Sequence, residues 1–79
     1  MRAIYEEEWL DIFATKVKRA LIEQRLTQED LSRMSGISDA AISTYLLRQN
    51  TPGVRAILNI AHALDIPVDE LIDYGADIF

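Results

Sequence analysis

The chain has 79 residues, 49% of them hydrophobic, with only three glycines and two prolines; that suits one small core and excludes a disordered chain. It has no cysteine, which excludes a disulfide framework and any thiolate metal site. The net charge of −5 at pH 7 argues, taken as a total, against a polyanionic partner.

The N-terminus runs Tyr5-Glu6-Glu7-Glu8-Trp9, acidic where a secretory leader would be basic. No apolar run approaches the roughly 20 residues needed to span a bilayer. The expected location is therefore the cytoplasm, with no membrane partner, and the expected organisation is a single domain over residues 1–79.

No alternating strand pattern and no repeat occurs, so the chain reads as all-α with five helices. The first is expected from about Glu7 to Gln24, where Leu10, Phe13, Val17, Ala20 and Leu21 recur at spacings of three and four. Glu6, Glu7 and Glu8 suit its positive end. Before it, Ile4, Tyr5 and Trp9 are too apolar for a solvated leader; they pack in the core, on the fifth helix or in a dimer interface.

The second helix is expected from about Gln28 to Met34 and the third from about Asp39 to Leu47. Both carry the same start signal. Thr27 stands as N-cap between Leu26 and Leu31, and Ser38 between Ile37 and Ile42, so a hydroxyl accepts from first-turn amides while an apolar pair staples the turn. Gly36 lies between the two helices, where a sharp turn needs a positive φ. Two short helices crossing steeply over about residues 27–47 make a helix-turn-helix, which points to double-stranded DNA.

Thr51-Pro52-Gly53 breaks the chain before a fourth helix, about Val54 to Leu64, with Val54, Ile57, Ala61 and Leu64 expected inward. After Asp65-Ile66-Pro67 a short fifth helix, about Val68 to Asp73, is expected to bury Val68, Leu71 and Ile72, with Gly75 ending the ordered part. Ile66, Val68, Ile72, Tyr74, Ile78 and Phe79 form a second apolar group near the C-terminus.

Charge is unevenly placed. Between Lys16 and Leu58 seven basic residues face four acidic ones, +3 locally, while the remainder is −8. A mildly basic DNA face with an acidic back is one reading; acidic residues that merely solvate helix starts and tails are the other.

Gln28-Glu29-Asp30-Leu31, Gly36-Ile37-Ser38 and Ile42-Ser43, with the run Ile57 to Ile72, resemble the Cro and phage-repressor (XRE-type) helix-turn-helix family over roughly residues 10 to 73. The resemblance implies a lambda-repressor-like five-helix domain of phage or bacterial kind. It also implies a sequence-specific DNA-binding transcription regulator, a repressor acting as a homodimer on a short palindromic operator. Such proteins often pair through their C-terminal end, which sets the two recognition helices about one DNA turn apart.

Helix three is then the recognition helix, with its N-terminal residues in the major groove. Ser38, Asp39, Ala40 and Thr44 are the expected exposed, base-contacting positions, Ala41, Ile42 and Tyr45 falling on the core side. Asp39 can accept from a cytosine amino group, and Ala40 or Thr44 can touch a thymine methyl; Asp39 equally serves the helix dipole and cap. By resemblance Gln28 and Ser43 contact phosphates, and the loop Arg48, Gln49, Asn50 and Thr51 runs along the backbone. Arg55, in the first turn of helix four where its charge opposes the dipole, completes the phosphate set, while Arg25 and Arg33 read as surface charge.

Relatives commonly carry an acidic residue and then a glycine at the end of helix three. Here Leu46-Leu47-Arg48 stands instead, so the helix runs on or ends differently. One of the two leucines is exposed, packed under the loop to helix four, or covered by a partner, the N-terminal segment or another subunit. That pair and the acidic total support a rival function, a protein-interaction module of antirepressor or antitoxin-like kind. Catalysis is not expected: His62 is the one histidine, without a nucleophile at useful spacing, and Asp69 and Asp73 read as solvated acids at a helix end. No cofactor or metal is implied.

Overall fold

Leu10, Phe13, Ala14, Val17, Ala20 and Leu21 fall on one side of a helix and are all buried, forming one wall of the core. The computed structural model describes residues 4–72. In it this helix is α1 (Ile4–Gln24), followed by α2 (Gln28–Ser35), α3 (Asp39–Leu46), α4 (Val54–Leu64) and α5 (Val68–Leu71). No strand occurs among the described residues. α2 packs on α3 and α4, α1 on α3 and α5, and α4 on α5. Leu31 of α2, Ile42 and Leu46 of α3, Ile60, Ala61 and Leu64 of α4, and Leu71 of α5 close the core opposite α1. Each fully buried Leu, Ile or Phe in it contributes about 1.5–3 kcal/mol of transfer free energy.

α1 begins at Ile4, ahead of the expected start at Glu7, so the acidic triplet lies within its first two turns. Trp9 meets Phe13 edge to face, centroids 6.0 Å apart at 72°, and so packs on its own monomer's core. The side chains of Ile4 and Tyr5, and residues 73–79 with Asp73, Tyr74, Gly75, Asp77, Ile78 and Phe79, lie outside the described residues.

Val54 corrects the inward face expected for α4. It is 75% exposed, whereas Ile60, unassigned from sequence, is 1% exposed. At 100° per residue the centre of the Ile57, Ile60, Ala61 and Leu64 stripe lies about 70° round the helix from Val54, the first residue of α4. Leu71 is buried as expected, while Val68 and Ile72 are only half-buried against the core. Of the leucine pair, Leu46 is 6% exposed and Leu47 60%.

Four helices end in the same way, only one of them with glycine. Arg25 (φ 58), Arg48 (φ 62) and Asp65 (φ 58) take the left-handed conformation after α1, α3 and α4, as Gly36 (φ 77) does after α2. After α3 the Gln49 N–H donates to the Thr44 carbonyl at 2.8 Å and the Arg48 N–H to Tyr45 at 3.1 Å, the double bond pattern of a Schellman termination. The same pair of bonds recurs at Leu26 and Arg25, and at Ile66 and Asp65. So α3 stops at Leu46, one residue short of the expected end, and its turn is made without the family's glycine. Gln24 then fastens the end of α1 to the end of α4, its Nε2 donating to the Leu64 carbonyl at 2.7 Å.

Candidate nucleic-acid interface

The two caps are formed as the local sequence requires. Thr27 Oγ1 accepts from the Asp30 N–H at 3.0 Å while the Thr27 N–H donates to Asp30 Oδ2 at 2.8 Å, a reciprocal capping box. Ser38 Oγ accepts from the Ala41 N–H at 3.1 Å. Leu26 and Ile37, the residues before the two caps, pack against the core. Between the helices, Ser32 Oγ donates to the Ile37 carbonyl at 2.6 Å and the buried Ser35 Oγ accepts from the Ile37 N–H at 3.2 Å. These bonds fix how α3 leaves α2.

The Asp30 carboxyl is held below its ordinary value, chiefly by the Thr27 N–H, then by the Thr27 hydroxyl and the Arg33 guanidinium that pairs with it; partial desolvation opposes them. Arg33, read as surface charge, is thus neutralised within α2.

Gln28 and Asp39 open α2 and α3, and the turn sets them side by side. Gln28 Nε2 donates to Asp39 Oδ1 at 3.0 Å and lies 3.4 Å from the Asp39 carbonyl oxygen. The expected phosphate contact and the expected base reader are therefore one bonded unit on the surface. One carboxylate oxygen of the exposed Asp39 holds Gln28, and Oδ2 can accept another donor.

Ser38, Asp39 and Ala40 are exposed as expected. Thr44 is half-buried, and its hydroxyl donates to the Ala41 carbonyl at 2.7 Å, so its proton is spent inside α3 while its oxygen can still accept. Ser43 is also half-buried. Gln49, Asn50 and Thr51 are exposed, with the amides of Gln49 and Asn50 turned back to Thr44. Arg55 is exposed in the first turn of α4, whose N-cap Gly53 supplies no side-chain bond, so the opening amides there lack a side-chain partner. Arg48 is placed differently from a bare loop cation: its Nε donates to Asp11 Oδ1 on α1.

Neither cross-link is legible in the sequence. Gln28 and Asp39 are 11 residues apart, and helical spacing relates only positions three or four apart. The one available signal was that the two residues hold equivalent positions after equivalent caps. Nothing in the sequence pairs Asp11 with Arg48.

Among the described residues no group of three or more His, Cys, Asp or Glu could hold a metal ion, and no helix is long and apolar enough to cross a membrane.

Residues 17–71 match a family model described as helix-turn-helix. Among curated proteins the chain is 28% identical over 61 residues to an uncharacterized HTH-type transcriptional regulator, YqaE, of Bacillus subtilis (strain 168). That match covers 77% of this chain and 53% of the relative, so the chain spans about half the length of the curated protein it matches. No solved structure matches it.

Proposed function

The chain belongs to the helix-turn-helix family, a family of regulators and not of enzymes, and we propose from that premise that it binds DNA sequence-specifically to regulate transcription. The observation that carries the reading is the Gln28–Asp39 bond, which brings the N-terminal ends of α2 and α3 together on one exposed surface. α3 enters the major groove. Asp39 Oδ2 accepts from an exocyclic amino group, cytosine N4 being the natural donor; Ala40 and the Thr44 methyl contact thymine methyls, and the Ser38 hydroxyl donates. Gln28, Ser43, Gln49, Asn50 and Thr51 face phosphates, and Arg55 supplies charge where the α4 amides add their own attraction.

The protein works in the cytoplasm as a homodimer on a short palindromic operator and represses by occupying a promoter. Selection from randomised duplex DNA at near-physiological salt, then titration of the enriched site, is the test. A palindrome with half-sites about one turn apart is expected. An unenriched pool would refute sequence-specific recognition.

A second reading has its own observation. Leu47, Val54 and Leu58 are 60%, 75% and 49% exposed, apolar surface to which the DNA contacts above give no role. A protein-interaction module on this fold would use it, and that reading takes over if selection fails and a protein partner is captured.

A further inference from the structure

Arg48 is the one residue of the proposed phosphate-facing loop whose charge the domain already engages. Its backbone has little freedom: φ is 62, and the Arg48 and Gln49 amides are bonded back to Tyr45 and Thr44. What can move is the side chain. Its Nε meets Asp11 Oδ1, and both side chains stay open to solvent, 41% exposed for Arg48 and 65% for Asp11. The pair borders a shallow cleft completed by Ile12, Thr15 and Lys16 of α1. A guanidinium whose Nε is on a carboxylate has lost its side-on grip on a phosphate and keeps only its end-on Nη donors.

We propose that Asp11 is a positioning residue for DNA binding. It holds Arg48 against the flank of α1 and so limits the positive charge that the end of α3 presents to the phosphate backbone. The inference rests on the DNA-binding reading above. Because the pair is exposed, the hold is weak, and a phosphate competes for Arg48 on nearly equal terms. Asp11 therefore adjusts affinity without abolishing it, and keeps the loop from adding attraction that is the same on every sequence.

The experiment is a mutant cycle of wild type, Asp11→Asn, Arg48→Ala and the double variant, titrated with a mixed-sequence duplex over a salt series. Circular dichroism confirms that each folds. Asp11→Asn is expected to bind about two- to fivefold more tightly and to steepen the dependence of log affinity on log salt by about one unit. Arg48→Ala alone should bind slightly more weakly than wild type, by about twofold at most, and the double variant should match it. A gain on Asp11→Asn that persists with Arg48 absent would mean general loss of negative charge and would overturn the proposal. An unchanged affinity for Asp11→Asn would overturn it too, while leaving DNA binding intact. Failure of all four proteins to bind at low salt would instead sink the DNA-binding reading, and this inference with it.

Discussion

Ser38 has two tasks that different substitutions separate. Its oxygen accepts from the Ala41 N–H at 3.1 Å, capping α3, and its hydroxyl proton remains available to an outside acceptor. Ser38→Ala removes both. Loss of such a cap costs about 1 kcal/mol, which in a domain of this size lowers Tm by about 4–8 °C. Ser38→Asp keeps an acceptor at the cap and adds a negative charge at the positive end of α3, worth about 0.3–1 kcal/mol at low salt. It should melt at or slightly above wild type. DNA affinity should rank the variants the other way. Ser38→Ala loses one neutral hydrogen bond, a few-fold effect, while Ser38→Asp sets a second carboxylate beside Asp39 against the phosphates and should weaken binding about tenfold or more. Thermal melts by circular dichroism and anisotropy titrations of the selected duplex, in one low-salt buffer, give the two rankings. If Ser38→Asp melts as low as Ser38→Ala, the residue is not acting as a cap. If it binds as wild type does, the start of α3 does not face the phosphates.

Ile60→Ala should destabilise by about 2–5 kcal/mol in denaturant titrations because it empties a fully packed site, whereas Val54→Ser, on the exposed edge of the same helix, should stay within about 0.5 kcal/mol of wild type. Arg25→Gly should raise stability by about 0.5–1 kcal/mol, since relief of the left-handed backbone at φ 58 exceeds the freedom glycine gains when unfolded. Asp30, whose folded carboxyl titrates below its ordinary value, stabilises the domain fully above the unfolded pKa of about 4 and loses this as pH falls through the lower folded value. The Tm advantage of wild type over Asp30→Asn should therefore be present at neutral pH and fade under acid in a melting series.

What could be read from the residues was whatever depends on near neighbours in the chain. The caps at Thr27 and Ser38, the Gly36 turn and the α1 stripe each need only residues within a turn or two, and each formed as expected. Val54 failed because a stripe inferred from spacing has no fixed centre until the facing helix is placed; Ile60 fits the same helix rotated slightly. The end of α3 was obscure for another reason: glycine marks a left-handed turn in a sequence, and here Arg48 makes that turn on the strength of its backbone bonds. Charge pairing is equally hidden from local reading. The +3 counted between Lys16 and Leu58 already contains the Asp30–Arg33 pair, but Arg48 meets Asp11, which lies outside that count. A tally of side chains measures the field only when the fold keeps them apart. In this molecule folding moves an acid from the nominally acidic flank onto the loop after α3, so Arg48 counts for less than its formal charge. On the DNA-binding reading proposed above, a face with its Arg48 charge so engaged holds arbitrary DNA weakly, and affinity rests on the fit of Asp39, Ala40 and Thr44 to particular bases.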